Sequence, residues 1–263
     1  QLVKMNLAHK RNKKKNLVSI IIPYFKKKQF FLESFNSVYY QSYKKKEIII
    51  IYDDPDQSDL SFIKKIIKNK SNTYLYINRK KHGAGTSRNL AIRKSKGEFL
   101  AFIDSDDVWD KQKLTKQIKF MKKNNISASF TSYSIIDFFG KQIGYRKAKK
   151  VITLNDLIYS CDIGLSTVVL RKGKIINNKL RFPNLKTKED YVLWISLAKK
   201  NVKFFGLENN FVKWRRLKNS LSSSLTQKLL DGFRVYNVYL KFNFFKSILY
   251  LFLLSINYLK KSI

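Results

Sequence analysis

The stretch from Gly97 to Asp107, GEFLAFIDSDD, joins a short apolar run directly to a cluster of acidic residues. A continuous apolar run of this kind is typical of a strand that is buried on both faces of a sheet. Asp104 and Asp106 alternate as the chain leaves that strand, so their carboxylates can converge on one hard cation. The alternative is that an acidic residue caps the next helix. A cap explains one carboxylate well and the others poorly, so we favour a cation site.

Similar apolar runs precede this stretch, and segments with helical spacing of their apolar residues separate them. We predict strands over residues 17–23, 47–52, 73–78 and 98–103, and helices over 30–42, 59–69 and 86–95. Strands that alternate with helices in this way pair in parallel through right-handed crossovers. The predicted fold class is therefore α/β, with a mostly parallel sheet flanked by helices.

Three of the predicted strands end in residues suited to ligand binding. Pro23 and Tyr24 end the first, Asp53 and Asp54 follow the second, and the acidic cluster follows the fourth. Ligands of open α/β sheets bind in the crevice beyond the carboxyl ends of the strands. We therefore expect one binding site at this edge of the sheet.

The remaining segments complete a single predicted domain. Residues 126–150 suggest irregular structure, with helices predicted over 111–123, 156–159 and 189–199, and strands over 167–170, 202–205 and 210–214. No repeat and no Gly/Ser/Pro-rich linker interrupts the chain. We predict a basic flexible arm over 1–16, one domain over 17–224 whose two halves meet near residue 110, and a helical tail over 225–263.

The composition bounds the partners and the compartment. The 263 residues carry a formal charge of +36, and such a field attracts polyanions whatever the fold. However, the excess is mostly Lys, and no recognisable nucleic-acid module is present. We expect no specific nucleic-acid partner, and a basic polyanion-binding protein stays an alternative. The single cysteine, Cys161, and the lack of an apolar N-terminal run predict a cytoplasmic location.

Four blocks in order resemble the family 2 glycosyltransferases with the GT-A fold, of the bacterial surface-polysaccharide type. They are Val18–Tyr24, Asp53–Asp54, Gly85–Asn89 and Gly97–Asp107. The resemblance implies an inverting transfer of a sugar from a nucleoside-diphosphate donor, UDP-linked by expectation, to a glycan or lipid-linked acceptor. A noncatalytic binding protein with this fold is the other alternative.

The resemblance also implies roles in the donor site. Pro23 and Tyr24 would line the base pocket, while Asp54 or its neighbour Asp53 would bind the uracil-like edge. Arg88 would contact the donor, and glycines at 83 and 85 would let the backbone approach it.

A divalent cation, Mn²⁺ or Mg²⁺, is implied at the acidic cluster. Asp106 would be its principal ligand, and Asp104 would lie near the ribose or the metal. A cation that bridges both phosphates neutralises the leaving nucleoside diphosphate without a proton.

The block Lys188–Trp194 resembles the family's Glu-Asp block at the mouth of the acceptor site. An acceptor hydroxyl is a poor nucleophile and needs a carboxylate that accepts its proton. We choose Asp190 as that base, with Glu189 orienting it or binding the acceptor. The alternative is that both carboxylates merely favour the N-terminus of a helix.

Two positions depart from the family pattern. Leu217 stands where the family often has a metal-assisting His, so Arg215 or Arg216 could clamp the diphosphate instead. Pro55 replaces a Gly after the paired acids, which a type I turn tolerates.

The tail is apolar nearly all round from Phe242 to Leu259 and ends in two lysines. It could cap the core as an ordinary helix. The flanking lysines favour a helix that lies on an anionic leaflet, and so a peripheral position at the inner face of the cytoplasmic membrane.

Overall fold

A computed structural model describes residues 14–78, 82–175, 180–217 and 224–260. The strands are β1 Lys14–Tyr24, β2 Lys46–Tyr52, β3 Thr73–Ile77, β4 Gly97–Phe102, β5 Val108–Trp109, β6 Ala128–Ile136, β7 Gln142–Arg146, β8 Val151–Ile152, β9 Val169–Arg171 and β10 Phe204–Arg215. The helices are α1 Lys28–Tyr39, α2 Leu60–Ile67, α3 Ala84–Lys94, α4 Lys113–Lys123, α5 Leu154–Tyr159, α6 Lys172–Ile175, α7 Glu189–Ala198, α8 Leu225–Arg234 and α9 Phe244–Leu259. A 3₁₀ turn covers Leu165–Thr167, and a π-helical segment covers Val235–Tyr239.

The strands form one mixed sheet in the order β3-β2-β1-β4-β9-β6-β10-β5, with β7 paired to β6 and β8 to β10. The pairs β1–β2, β1–β4, β2–β3 and β6–β10 are parallel. The short strand β9 joins the two parallel groups and is antiparallel to both neighbours. The predicted fold class, α/β with a mostly parallel sheet flanked by helices and a C-terminal helix, is confirmed.

Successive residues of the central strands face two separate apolar layers. In β1, Ile20 and Ile22 pack with α1 residues such as Phe31, while Ile21 packs on the other side with Trp194 of α7 and its neighbours. Helices on both faces bury every residue of the run, which explains why it is continuously apolar. Because β1, β2 and β4 run in the same direction, their carboxyl ends meet at one edge.

Three parts of the chain differ from the sequence-based expectation. Residues 126–150, predicted as irregular, contain β6 and β7. The two short strands predicted over 202–205 and 210–214 form one strand, β10, whose register with β6 shifts near Asn210. Strand β1 begins at Lys14, inside the predicted arm, and the rest of that arm lies outside the described residues.

The tail packs into the domain. Val235 and Tyr236 are fully buried in the apolar layer that α7 forms with one face of the sheet, and Leu254 of α9 belongs to the same layer. The Tyr236 hydroxyl donates to the Ile158 carbonyl at 2.9 Å. Among the helices of the described segments, none combines the length and apolarity needed to span a bilayer.

Candidate active site

Asp53, at the end of β2, holds the loop that leads into α3. Its carboxylate accepts from the backbone N–H groups of His82, at 3.0 Å, and Gly83, at 2.8 Å, and from Asn78 Nδ2 at 2.8 Å. Three donors therefore occupy this carboxylate, which is almost fully buried. Asp53 shapes the loop, and the neighbouring Asp54 is the better candidate for binding a base.

Asp54 is a buried carboxylate without a hydrogen-bonding partner in the described chain. Only 1% of its surface is exposed, and neither side-chain oxygen has a partner among the described residues. Burial, followed by the charge of Asp56, raises its pKa. An unpaired buried carboxylate is costly, so Asp54 stays a candidate for binding a ligand that carries an N–H donor.

Pro23 and Tyr24 lie at the end of β1, beside Asp54. Tyr24 is fully buried; its hydroxyl donates to Asp59 at 2.7 Å, and its ring stacks on Tyr52 with centroids 5.2 Å apart. Pro23 pairs with Ile51 inside the sheet. Both residues are packed inside the sheet at the carboxyl end of β1. Their contact with a base stays a prediction.

Arg88 links two carboxylates that lie far apart in the sequence. Its guanidinium donates to Asp104 Oδ1 and to Glu189 Oε1, both at 2.6 Å, and lies 5.4 Å from the centre of the Phe182 ring. Burial alone would lower the Arg88 pKa, but the charges of Asp104 and Glu189 outweigh it and raise the pKa. Arg88, which we predicted to contact the donor, thus also links the carboxylates of Asp104 and Glu189.

Gly85 allows this link because it lets α3 pack closely. An added Cβ would lie 3.0 Å from the Pro183 carbonyl oxygen and 3.3 Å from Glu189 Cγ. Pro183 and Glu189 occupy the space that a side chain at position 85 would need. The lack of a side chain at Gly85 therefore first of all lets α3 approach the Glu189 segment.

Asp106 forms an ion pair with Lys27, a residue that the sequence analysis did not single out. Lys27 Nζ lies 2.8 Å from Asp106 Oδ2, and little of either side chain is exposed. Burial raises the Asp106 pKa, and the charge of Lys27 opposes that effect. Asp106 and Asp104 are therefore each bound by a cationic side chain.

The other two acids of the cluster are structural. Asp107 is buried and accepts from the Arg215 N–H at 2.9 Å and from the Ser166 hydroxyl at 2.5 Å. Burial, with the charges of Asp106 and Asp104, raises its pKa well above the usual range. Asp110 accepts from the N–H of Gln112, immediately before α4. Neither Asp106 nor Asp107 caps α4, whose N-cap residue, Gln112, makes no side-chain capping hydrogen bond, and the cation site stays a prediction.

The donor set at Asp104 and Asp106 suits a hard divalent cation. Within the described segments, no group of three or more Asp, Glu, His or Cys side chains is placed to bind a metal. Two carboxylates supply a minority of the oxygens that Mn²⁺ or Mg²⁺ takes, which leaves positions for phosphate oxygens and water. The Lys27 ammonium beside Asp106 already marks a position where positive charge is stabilised.

Arg215 and Arg216 differ in their surroundings. The buried Arg215 guanidinium donates to three backbone carbonyls, those of Asp106, Asp137 and Phe138, and to Glu33 Oε2 at 2.7 Å. Arg216 is exposed, with its guanidinium 5.9 Å from the centre of the Trp214 ring. Leu217 is half-buried, and residues 218–223, which follow it, lie outside the described residues.

A cavity of about 180 Å³ joins Asp104 to Asp190. Its wall includes Tyr133, Cys161, Ser166 and Trp214. Burial, followed by the charge of Glu189, raises the Asp190 pKa to about 7, although Arg88 opposes the shift. The structure thus places the predicted base across one cavity from a predicted metal ligand, with a pKa suited to accepting a proton near neutral pH.

Asp231 of α8 is a second residue that the sequence analysis missed. It is fully buried and accepts from both the N–H and the hydroxyl of Thr187, at 3.0 and 2.9 Å, and from Gln227 and Arg234. Thr187 lies two residues before Glu189. A signal was available, because Asp231 is the only acidic residue after Glu208, whereas nothing distinguishes Lys27 within its lysine run.

We predict that Asp231→Asn lowers the free energy of unfolding by about 1–3 kcal/mol, because an amide N–H₂ would face the Thr187 donors. Denaturant unfolding measures the change. Glu208→Gln is the control, since Glu208 is exposed and pairs only with exposed Lys147, and it should shift stability by about 0.5 kcal/mol or less. Equal stability of Asp231→Asn and the native chain would contradict a structural role for this carboxylate.

Comparison with known proteins agrees with this geometry. The model of glycosyl transferase family 2 matches residues 19–187. The Escherichia coli enzyme WfgD, named as a UDP-Glc:alpha-D-GlcNAc-diphosphoundecaprenol beta-1,3-glucosyltransferase, is 37% identical over 215 residues, which are 81% of this chain and 82% of WfgD. The chain belongs to glycosyl transferase family 2. It is therefore a nucleotide-sugar glycosyltransferase.

Solved structures share the fold of this glycosyltransferase. TarS 1–349 of S. aureus in complex with UDP-GlcNAc has a TM-score of 0.69 at 22% identity, over 84% of this chain and 64% of that one. The Pyrobaculum calidifontis mannosyltransferase PcManGT, in complex with GDP-Man and Mn²⁺, has a TM-score of 0.63 at 13% identity, over 86% and 64%. This chain thus spans less than two thirds of either structure, and at these identities the likeness shows the fold.

Proposed function

We propose that this glycosyltransferase moves a sugar from a UDP-sugar to a hydroxyl of a lipid-linked glycan, with inversion at the anomeric carbon and with Asp190 as the base. The observation that carries the proposal is the single cavity between Asp104 and Asp190. One end offers the Asp104 carboxylate to the diphosphate and its cation, and the other offers a base with a pKa of about 7. A donor and an acceptor could meet between them.

The unpaired carboxylate of Asp54 supports a uracil base. Uracil has an N–H group between two carbonyls, and a buried acceptor that lacks a donor is matched by that group. The names of two similar proteins point the same way, because WfgD is named for UDP-Glc and the TarS fragment was solved with UDP-GlcNAc.

Asp106 and Asp104 would hold one divalent cation, Mn²⁺ or Mg²⁺. When bound, the cation would neutralise the charge that develops on the leaving diphosphate. Lys27 would then give up Asp106 and lie close to the phosphates, while Arg88 would keep Asp104 oriented. The Mn²⁺ in the PcManGT complex supports this reading at the level of the fold.

Asp190 would accept the proton of the acceptor hydroxyl as the new bond forms. The hydroxyl oxygen attacks the anomeric carbon, the bond from that carbon to the diphosphate oxygen breaks, and the proton passes to the Asp190 carboxylate. A single displacement of this kind inverts the anomeric centre. Glu189 is less suited to the role of base because its carboxylate accepts a hydrogen bond from Arg88 at 2.6 Å. Glu189 would instead hold the Arg88 side chain and the neighbouring cavity wall in position.

Arg216 is the better candidate for binding the diphosphate. Four protein acceptors already surround the Arg215 guanidinium, so a phosphate would have to displace them. Arg215 would instead position the acidic cluster, because it donates to the Asp106 carbonyl and its N–H holds Asp107.

The acceptor in the name of WfgD is a sugar on diphosphoundecaprenol. We extend that class of acceptor to this chain, which would then contribute to a surface polysaccharide at the cytoplasmic face of the membrane. The intact set Asp54, Asp104, Asp106 and Asp190 favours this reading over a noncatalytic or polyanion-binding protein.

The proposal is tested by incubating the full chain with UDP-, GDP-, CDP- and dTDP-sugars, a GlcNAc-diphospholipid acceptor and Mn²⁺ or Mg²⁺. We expect transfer with a UDP-hexose only, and an anomeric configuration of the product opposite to that of the donor, read by NMR. Preference for another nucleotide, or retention of configuration, would contradict the proposal.

We predict that Asp54→Ala weakens UDP binding about tenfold or more, because the hydrogen bond to a charged acceptor is lost. The decisive ligand is UDP methylated at N3, which lacks the donor N–H. Calorimetry should show that the native chain discriminates between the two ligands and that Asp54→Ala does not. Asp56→Ala is the control, since Asp56 is exposed beside it and pairs with Lys26. If Asp56→Ala alone lost the discrimination between UDP and N3-methylated UDP, Asp54 would not be the residue that contacts the base.

A further inference from the structure

Helix α9 has two apolar faces, and among the described residues one of them packs on the rest of the protein. Ser247 and Leu254 are buried, and the ring of Tyr250 lies 5.7 Å from Tyr236 and 5.4 Å from Tyr159. Asn257 Nδ2 donates to the Tyr159 carbonyl at 3.0 Å. The helix is thus fixed along its length against α5 and the π-helical segment.

The opposite face of α9 is apolar and open to solvent. Its residues recur at helical spacing and form one stripe along the helix. We call this stripe the outer face; it comprises Phe245, Ile248, Leu249, Phe252, Ile256 and Leu259. Phe245 is 82% exposed and Phe252 61%. A contiguous patch of this kind on a surface marks an interaction site.

Positive charge surrounds the outer face. Between residues 224 and 260 the chain has five basic residues and one acidic residue, Asp231, and Asp231 is fully buried and hydrogen-bonded. Lys246 and Lys260 flank the stripe at its two ends, and both are exposed. Any partner of the outer face therefore meets apolar side chains with an exposed lysine near each end of the helix.

An anionic lipid surface matches this combination. Aromatic and aliphatic side chains enter the boundary between headgroups and acyl chains, while lysines at the edge bind lipid phosphates. A second copy of this chain would match the apolar stripe but would bring a formal charge of +36 against +36. The charge therefore disfavours self-association and favours a bilayer.

We propose that the outer face of α9 docks the enzyme on an anionic bilayer, with the helix lying along the membrane surface. The docked helix contacts two elements that lead to the candidate active site. Asp231 of α8, which packs on α9, holds Thr187, two residues before Glu189, and α5, which also packs on α9, ends at Tyr159, two residues before Cys161 in the cavity wall. The docking itself does not rest on the proposed function. Its consequence, that a lipid-linked acceptor is delivered to Asp190, does rest on it.

Point substitutions test this better than removal of the tail. Deleting residues after Phe233 would expose the core around Val235 and Tyr236, which are fully buried, so loss of binding would not be interpretable. Leu249→Ser with Phe252→Ser keeps the charge and removes only exposed apolar groups. The matched control is Leu32→Ser with Phe139→Ser, the same residue types exposed on α1 and on the turn after β6.

The measurement is flotation with vesicles of phosphatidylglycerol and phosphatidylcholine, beside vesicles of phosphatidylcholine alone. We expect the native chain and the control to bind the anionic vesicles, less so at high salt, and the outer-face variant to bind about tenfold more weakly or worse. Metal-dependent hydrolysis of UDP-sugar in solution should be equal in all three proteins, which separates this test from that of the active site.

Several results would overturn the docking proposal. They are native protein that fails to bind anionic vesicles, native protein that binds neutral vesicles equally, and an outer-face variant that binds like the native chain. A native dimer that the variant converts to a monomer in analytical ultracentrifugation would make the outer face a protein interface. If the double variant unfolds, Phe245→Ser replaces it, because Phe245 is the most exposed residue of the stripe.

Discussion

Asp106→Asn should reduce sugar transfer about a thousandfold or more, because a cation at a diphosphate contributes several kcal/mol to the transition state. The substitution removes one ligand oxygen and one negative charge while it keeps the shape of the side chain. It also leaves Lys27 without its partner at 2.8 Å. Calorimetry should show that Mn²⁺ no longer strengthens UDP binding, so the defect can be read without turnover.

The matched control for this prediction is Asp110→Asn. Asp110 lies close to the acidic cluster in sequence, but it stands between β5 and α4 and accepts from the N–H of Gln112, a role that Asn fills well. We expect near-native transfer and native Mn²⁺ dependence. Full activity of Asp106→Asn, or of the native chain in excess chelator, would remove the metal from the mechanism.

The parallel core was predictable because helices cover the strands on both faces, so these strands are continuously apolar. Strand β6 was missed, although the alternation of polar and apolar residues in its sequence ASFTSYSII is compatible with a strand, because its small polar residues interrupt the continuous apolar run by which the other strands were predicted. Its hydroxyl groups are nevertheless buried, since they find partners inside the fold. Ser129 accepts from Gln117, Ser134 donates to Gln142, and Ser132 accepts from the Ala148 N–H. Partners this far away in sequence leave no local pattern.

The residues of the candidate site also divide into those that could be predicted from the sequence and those that could not. Asp104 and Asp106 directly follow a strand, so local sequence was enough to propose them, whereas Asp190 was proposed from the family resemblance of its block. The engagement of Arg215 with backbone carbonyls and Glu33, and the pair of Lys27 with Asp106, depend on how separate segments pack. The tail illustrates a third limit: its apolar residues point both inward and outward, and hydrophobicity alone cannot separate a core face from a docking face.

The sharpest expectation concerns Asp190. Asp190→Asn keeps the shape of the side chain but cannot accept a proton, so turnover should fall about a hundred- to ten-thousandfold, or roughly 3 to 5 kcal/mol of barrier. UDP-sugar affinity should stay close to native. Glu189→Gln is the comparison, because Glu189 binds Arg88 and should cost less. A larger loss at Glu189, or a defect of Asp190→Asn that lies wholly in donor affinity, would move the base elsewhere.

The dependence on pH separates loss of a base from loss of structure. Burial raises the Asp190 pKa to about 7, so native turnover should increase as the pH rises through about 7, and Asp190→Asn should lose this limb. A carboxyl with a raised pKa in the folded state stabilises the fold when protonated and loses that contribution as the pH rises through the folded pKa. At pH 8 the Asn variant should therefore be at least as stable as the native chain in denaturant unfolding, while it is far slower. A variant that is both slow and unstable at pH 8 would instead make Asp190 a structural residue.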